Sequence, residues 1–363
     1  MRILFVNTIR MFGGGEIWML RTLTALSGRG HRVYLLCRPE TELSRRARDL
    51  GIPVMTLRIR GDLDPLTILS AWRIIRRLKI QILLTNMDKE LRFAGLAARI
   101  AGGCRVIPRR GIDYPLKDRL HYRLSYTKLA HCVIANSLAT KKALLRHAPW
   151  LDPARIQVIY NGIDPAPFLS RPEGCLRRTW GIPGRAKIIG FIGQLDERKG
   201  IDCLLRAFQL LSRDIPAHLV LCGTGPLQES VKKLAQESGL TDRIHLPGFQ
   251  DHIEEVMKAI DVLALPSLWE GFGIVLIEAM AAGKPVVTTA VSSMPEIVLD
   301  RVTGRVVPVN EPQQLAAALK EILTSSKRMR EWGYNGRQRV LQHFTLQRMI
   351  DELEKLFYAQ LRG

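Results

Sequence analysis

Two carboxylates eight positions apart, Glu270 and Glu278, bracket the segment Glu-Gly-Phe-Gly-Ile-Val-Leu-Ile-Glu, in which a Gly-Phe-Gly turn leads into a helical pattern over 275–282. Such a turn presents free backbone N–H groups to an anion, while an acid in the loop and another one turn into the helix accept hydrogen bonds from hydroxyls. Glu278 also reads as a helix acid with no ligand. Its neighbours Leu276, Ile277, Ala279 and Met280 make an unpaired carboxylate costly there, so a hydroxyl partner is expected. Arg198-Lys199-Gly200 offers a planar fork and a point charge, the pair of cations that a diphosphate needs. A solvated loop with a helix-initiating glycine accounts for the same residues. Gly13-Gly14-Gly15-Glu16 lies between an apolar run and a helical pattern, where glycine lets the backbone approach a phosphate or sugar. It lacks the Gly-x-Gly-x-x-Gly spacing, and a plain tight turn explains it equally.

Short Val, Ile and Leu runs alternate with longer amphipathic stretches, the pattern of βαβ units around a parallel sheet. Strands are expected at 3–7, 32–37, 54–57, 81–85, 105–108, 132–135 and 157–159, and again at 187–192, 218–222, 244–246, 262–265, 285–288 and 304–307. Between the two sets, residues 161–175 lapse into Asn-Gly, Pro165, Pro167, Pro172 and Gly174, which reads as an interdomain linker. The expected fold is α/β, with two doubly wound, Rossmann-like domains facing across a cleft, since ligands of open parallel sheets bind outside the carboxyl ends of the strands. The boundaries are 1–168 and 169–344, with a C-terminal helix at 345–363. Asp62-Leu63-Asp64 has the Asp-x-Asp form of a metal site. Pro65 and the helical pattern after it make a helix cap the better reading, and no metal site is assigned.

The chain of 363 residues is 47% hydrophobic and 24% charged, which places it with folded globular proteins and excludes low-complexity and collagen-like classes. The cysteines at 37, 104, 132, 175, 203 and 222 show neither zinc spacing nor a Cys-x-x-Cys pair, so buried free thiols in a reducing compartment are expected. Residues 3–6 are too short an apolar run for a signal-peptide core, and no run approaches the ~20 residues of a spanning helix. A cytoplasmic protein is the expectation. The net charge of +20 is uneven. Up to Cys175 there are 30 Lys and Arg against 13 Asp and Glu, a net +17; beyond it there are 24 against 21, a net +3. The first half therefore faces something anionic.

Glu270 and Glu278 with the continuation Ala-Met-Ala-Ala-Gly-Lys-Pro-Val-Val resemble the signature of the retaining family 4 glycosyltransferases of the GT-B fold. Supporting matches are residues 13–16, Asn161-Gly162-Ile163-Asp164, 193–200, Leu246-Pro247-Gly248-Phe249, 261–267 and Pro295-Glu296-Ile297. The resemblance implies a nucleotide-diphospho-sugar co-substrate held mainly by the second domain, with no cofactor. Arg198, Lys199 and Glu270 would be the catalytic set, the first two neutralising the diphosphate. Gly193, Glu270, Gly271, Phe272, Gly273, Ile274 and Glu278 would hold the donor, with Glu278 on the ribose and Gly248 and Phe249 beside the base. Gly14 and Gly15 would close on the phosphate and sugar from the first domain. Glu16, Arg109, Arg110 and Asp113 would meet the acceptor, and the C-terminal helix would cross back onto the first domain. Two departures stand out: Arg109 and Arg110 occupy the loop where the family commonly has a His, and Ser292-Ser293-Met294 replaces the usual Gly-Gly before Pro-Glu. An Arg there can bind an anionic acceptor but cannot act as a general base.

Basic amphipathic stretches at 65–80 and 115–128 fit a membrane interface. With the charge of the first half, they lead to an anionic, lipid-linked saccharide acceptor, such as lipopolysaccharide core or another envelope glycan, at the inner face of the cell membrane. Two other classes share single features with this sequence. A sugar-nucleotide epimerase shares the architecture but lacks support in the 270–278 segment. A nucleic-acid-binding protein would rest on charge alone, without zinc-finger spacing or an aromatic RNA-binding pattern, so no nucleic-acid partner is expected.

Overall fold

The computed structural model describes residues 1–169 and 176–362. It contains two compact units, Met1–Asn161 with Leu346–Gly363, and Gly162–Thr345.

The first unit is a seven-stranded parallel sheet of β1 (Arg2–Asn7), β2 (Arg32–Cys37), β3 (Val54–Thr56), β4 (Ile82–Thr85), β5 (Arg105–Arg110), β6 (Val133–Ala135) and β7 (Ile156–Val158), in the order β3-β2-β1-β4-β5-β6-β7. Central strands are continuous apolar runs because helices cover both faces: Ile3, Leu4, Phe5 and Val6 are all fully buried. Helix Pro65–Leu78 shows how locally the crossovers are specified. Asp64 Oδ2 accepts the Thr67 N–H at 2.8 Å, Pro65 opens the first turn, and Lys79 closes the helix in the left-handed conformation. Asp64 is thus the cap that the sequence indicates, and Asp62 pairs with Arg92. Helix Leu346–Arg362 completes this unit. Met349, Ile350, Leu353 and Phe357 enter its core beside Trp18 and Leu23, and Arg29 pairs with Asp351 at 2.7 Å and Glu354 at 2.5 Å.

The second unit is a six-stranded parallel sheet of β8 (Lys187–Ile192), β9 (Ala217–Cys222), β10 (Ile244–Gly248), β11 (Val262–Leu265), β12 (Val286–Thr289) and β13 (Gly304–Val307), in the order β10-β9-β8-β11-β12-β13. Both units are therefore doubly wound, and every strand lies within a few residues of its expected place.

Three expectations are corrected. The first unit ends at Asn161 rather than residue 168, because the short helix Ala166–Leu169 buries Phe168 and packs on helices Ile253–Ala259 and Ile274–Ala281 of the second unit. The amphipathic stretch 115–128 is not one helix: residues 111–119 are irregular, Leu116 is buried, and a helix begins only at Leu120–Leu124 before widening into a π turn at Ser125–Leu129. Arg109 and Arg110 are not in a loop, since β5 runs on through them by pairing with Ile134 and Ala135 of β6. The five described cysteines are free and buried, and burial pushes the thiols of Cys104, Cys132 and Cys222 up to about 12. Cys175, with Pro172 and Gly174 of the linker, lies outside the described residues. Among the described residues no helix is long and apolar enough to cross a membrane.

Candidate active site

In an open parallel sheet a ligand lies outside the carboxyl ends of the strands where strand order reverses. That point falls between β8 and β11 in the second unit and between β1 and β4 in the first.

In the second unit the loop after β8 makes one tight turn over Glu197–Lys199 and passes through Gly200, at φ +65°, into helix Ile201–Leu211. A Cβ on Gly200 would stand 2.1 Å from the carbonyl oxygen of Pro266, so glycine is what lets this loop close on the one after β11. The Leu268 N–H donates to the Arg198 carbonyl at 2.8 Å, fastening the two loops. Across the junction Lys199 Nζ donates to Glu270 Oε2 at 2.5 Å, and Ser267 Oγ donates to the same oxygen at 3.3 Å. The Gly271 N–H donates to Glu270 Oε1 at 3.1 Å. Arg198 is more exposed, steadied by Asp196 at 2.5 Å and Gln194 at 3.3 Å.

Gly273, at φ +82°, turns the chain into helix Ile274–Ala281, whose start offers backbone N–H groups and the positive end of a dipole. Glu278 lies one turn in and is 8% exposed. Phe272 is buried edge-on against Phe344, with centroids 6.2 Å apart, so only its backbone is available to a ligand. The loop after β12 joins the same turn: Ser293 Oγ donates to the Phe272 carbonyl at 3.0 Å, and Ser292 adopts φ +47°, a conformation suited to glycine. Gly193 follows β8, Gly248 ends β10 and Phe249 follows it, 65% exposed. The Gly223 N–H donates to the Gly248 carbonyl at 2.8 Å, and a Cβ on Gly223 would meet the Gly193 carbonyl at 1.9 Å. Gly223 and Gly225, whose added Cβ atoms would meet the Gly193 and Leu195 carbonyls, are thus what packs these loops together.

The first unit's reversal point holds a buried polar layer. Gly14 and Gly15 open helix Gly14–Gly28, and a Cβ on Gly14 would meet nothing within 4 Å. Glu16 turns inward: its carboxylate accepts the Gly13 N–H at 3.0 Å and Asn7 Nδ2 at 2.8 Å, which makes it a capping residue of that helix rather than a surface acid. Glu90 is fully buried and accepts from the Thr8 N–H at 2.6 Å, Thr8 Oγ1 at 2.8 Å, the Asn86 N–H at 2.8 Å and the Met87 N–H at 2.9 Å. Desolvation pushes its carboxyl up to about 7 against the pull of those donors. Arg109 is 4% exposed and lies over the Trp18 ring at 3.7 Å, donating to Asn86 Oδ1 at 3.2 Å and Asn161 Oδ1 at 3.0 Å. Burial pulls its guanidinium down to about 9, opposed by the charge of Glu16. Arg110 faces Asp88 at 3.0 Å, and Tyr126 donates to the same carboxylate at 2.6 Å. Asp113 lies in the irregular segment beyond β5.

The structure therefore brings Arg198, Lys199, Glu270, Gly271, Gly273 and Ile274 to one sheet edge, and Gly14, Gly15, Glu16, Arg109 and Arg110 to the other sheet's corresponding edge. Sequence reading gave Ser267 and Ser293 no role of their own and missed Asn86 and Glu90. Only Asn86 and Glu90 carried a faint signal, as Asn-x-x-x-Glu directly after a predicted strand.

Residues 175–339 match the family Glycosyl transferases group 1, and residues 12–167 match Glycosyltransferase Family 4. Over 189 residues the chain is 36% identical to the D-inositol 3-phosphate glycosyltransferase of Mycolicibacterium gilvum, covering 50% of this chain and 41% of that protein. The chain spans about half the length of the curated relatives it matches. Among solved structures, a glycosyltransferase from Rickettsia africae ESF-5 superposes with a TM-score of 0.91 at 20% identity, over 100% of this chain and 99% of that one. Anabaena HepE in complex with UDP superposes at 0.89 with 22% identity, over 99% and 100%. With both halves matched in sequence and the whole chain matched in fold, this protein belongs to the group 1, family 4 glycosyltransferases and has their two-domain GT-B fold.

Proposed function

We propose that this chain transfers a sugar from a nucleotide-diphospho-sugar to an anionic, lipid-linked saccharide, with retention at the anomeric carbon and without a metal ion. The observation that carries the donor half is the meeting of Arg198 and Lys199 with Glu270 and the Gly271 to Gly273 turn at the reversal point of the second sheet. Fixed cations and N–H dipoles there stabilise the charge that develops on a departing diphosphate. The anomeric C–O bond breaks with its electron pair going to the diphosphate oxygen. The acceptor hydroxyl oxygen bonds to the same carbon from the same face, and its proton passes to the leaving oxygen, so no enzymic nucleophile is required. Glu270 hydrogen-bonds the sugar and Glu278 the ribose. The Anabaena structure of the same fold carries UDP, which supports a uridine donor as the first to test.

The acceptor half rests on charge. The Mycolicibacterium relative is named for an inositol phosphate, an anion. The first unit also presents Leu66 and Leu69 on helix Pro65–Leu78 and Leu120 and Leu124 on helix Leu120–Leu124, all exposed, on helices that also carry Arg73, Arg76, Arg77 and Arg123. Apolar and cationic side chains together suit an anionic membrane surface.

Thermal unfolding with chelator present, against UDP, GDP, ADP and their sugar conjugates, tests the donor. A ligand at 100 times its Kd adds about 2.7 kcal/mol to the folded state. One nucleotide series should stabilise the protein and lose that effect in Lys199→Ala; stabilisation that appears only with added metal overturns the mechanism. Sedimentation with phosphatidylglycerol vesicles tests the membrane: unchanged binding of an Arg73→Glu, Arg77→Glu variant excludes that surface.

A further inference from the structure

In the first sheet β2 and β5 flank the central pair β1 and β4. Arg38 follows β2, and its Nε reaches past the end of β1 to donate to the Thr8 carbonyl at 3.0 Å. Arg109, near the end of β5, reaches in the opposite direction past the end of β4 to Asn86 Oδ1 at 3.2 Å. Thr8 and Asn86 are themselves joined through the buried Glu90. Two guanidiniums thus lean from opposite sides over the point where strand order reverses.

Their partners are neutral. Arg38 donates to a carbonyl, and Arg109 donates to the amide oxygens of Asn86 and Asn161 and lies on the Trp18 ring. Among the described residues neither makes an ion pair, whereas the adjacent Arg110 has Asp88 at 3.0 Å. The carboxylate oxygens of the acids in this layer are taken up by other donors: those of Glu16, which acts on Arg109 through its charge alone, accept from Gly13 and Asn7, and those of Glu90 accept from Thr8, Asn86 and Met87. A buried guanidinium hydrogen-bonded to neutral acceptors is expensive, and its five N–H groups are not exhausted by one or two of them. Arg109 nevertheless remains charged at neutral pH, since burial lowers it only to about 9. An arrangement that keeps one buried and one half-exposed cation oriented on neutral acceptors is complementary to an anion that arrives from outside.

We propose that the carboxyl edge of the first sheet is a receptor for one negatively charged group, a phosphate or carboxylate borne by the acceptor saccharide, gripped by Arg38 and Arg109. Asn86, Asn161 and Trp18 are positioning residues that hold the Arg109 plane. The inference rests on the transferase reading and deepens it by naming the group on the acceptor that is recognised.

Calorimetric titration of the full chain, kept saturated with UDP so that the second unit is occupied, tests it with glucose 6-phosphate, glucuronate and glucose as probes. The charged sugars should bind at least tenfold more tightly than glucose, and Arg38→Gln should reduce that preference to about twofold while leaving UDP affinity unchanged. Arg109→Gln should do the same; because Arg109 is buried and its loss can unfold the unit, the half-exposed Arg38 carries the decision. Equal binding of glucose and its phosphate overturns the proposal, as does a preference unaltered by Arg38→Gln. Displacement of glucose 6-phosphate by phosphatidylglycerol vesicles overturns it in favour of a lipid headgroup. If UDP fails to bind while the charged sugars still discriminate, the donor assignment fails and the receptor stands. Failure of both charged sugars to bind while UDP still binds removes the receptor on its own.

Discussion

Lys199 Nζ lies 2.5 Å from Glu270 Oε2, and this pair spans the reversal point of the second sheet from the loop after β8 to the loop after β11. Both side chains are largely shielded, at 18% and 14% exposure, so the attraction is less screened than at the surface. The cation assigned to the diphosphate is therefore neutralised by the acid assigned to the sugar until a ligand arrives. A nucleoside diphosphate without a sugar has to compete with Glu270 for Lys199. Glu270→Gln should bind UDP about fivefold more tightly, corresponding to about 1 kcal/mol released from the pair, yet transfer sugar far more slowly. Lys199→Ala should weaken UDP. Calorimetry and initial rates read both, and weaker UDP binding by Glu270→Gln would falsify the competition.

Gly14 and Gly200 separate the two uses of glycine. Nothing lies within 4 Å of a Cβ built on Gly14, and its φ is unexceptional, so Gly14→Ala should fold normally and gain up to about 1 kcal/mol from helix propensity. Its methyl would stand in open space at the ligand edge of the first sheet, and activity should fall despite unchanged or higher thermal stability. Gly200→Ala should instead destabilise the second unit, because the new Cβ meets Pro266 at 2.1 Å at φ +65°. Full activity of Gly14→Ala would mean that this loop does not approach a ligand.

Glu90 predicts a pH dependence with a definite sign. Its carboxyl is raised from the ordinary 4.5 to about 7 in the folded chain, so between those values the folded state binds more protons than the unfolded one. Stability contributed by this group is present below pH 4.5 and is lost as pH rises towards 7, on the order of 3 kcal/mol in all. Glu90→Gln removes the slope. It also lowers stability at every pH, because an amide cannot accept from all four donors, so the comparison is between slopes of unfolding free energy across pH 4.5–7.5. Parallel slopes for the two proteins would show that Glu90 does not titrate there.

Much of this was legible because it is local. The buried parallel strands are uninterrupted apolar runs, and the 270–278 turn and Arg198-Lys199 are each contiguous, so composition and spacing sufficed to bring them to attention. What stayed hidden depends on partners distant in sequence. Glu90 is an ordinary helix acid until Thr8 arrives from β1, and Gly200 and Gly223 look like loose turns until Pro266 and Gly193 come within 2.1 and 1.9 Å of their missing Cβ atoms. Arg109 was read as a loop cation because a strand that ends in Pro-Arg-Arg looks finished. Pairing with β6 carries it two residues further and turns the guanidinium inward onto Trp18.

Asp62 and Asp64 provide the sharpest test of a pattern against its context, since Asp-x-Asp is the metal motif of another glycosyltransferase architecture. Asp64 Oδ2 accepts both the Thr67 N–H at 2.8 Å and Thr67 Oγ1 at 2.6 Å, and these bonds hold its carboxyl below the usual range. Asp62 is engaged by Arg92, whose guanidinium also lies over Tyr122 at 5.3 Å, joining the start of helix Pro65–Leu78 to helix Leu120–Leu124. Each acid thus has a structural task that a metal would interrupt. Asp64→Ala should lower the unfolding temperature, as loss of an N-cap does, and Asp64→Asn should restore most of it because the amide oxygen still accepts from Thr67. Neither substitution should alter transfer rate per folded molecule, with or without chelator. A rate that collapses in Asp64→Asn while the unfolding temperature holds would return the motif to the chemistry.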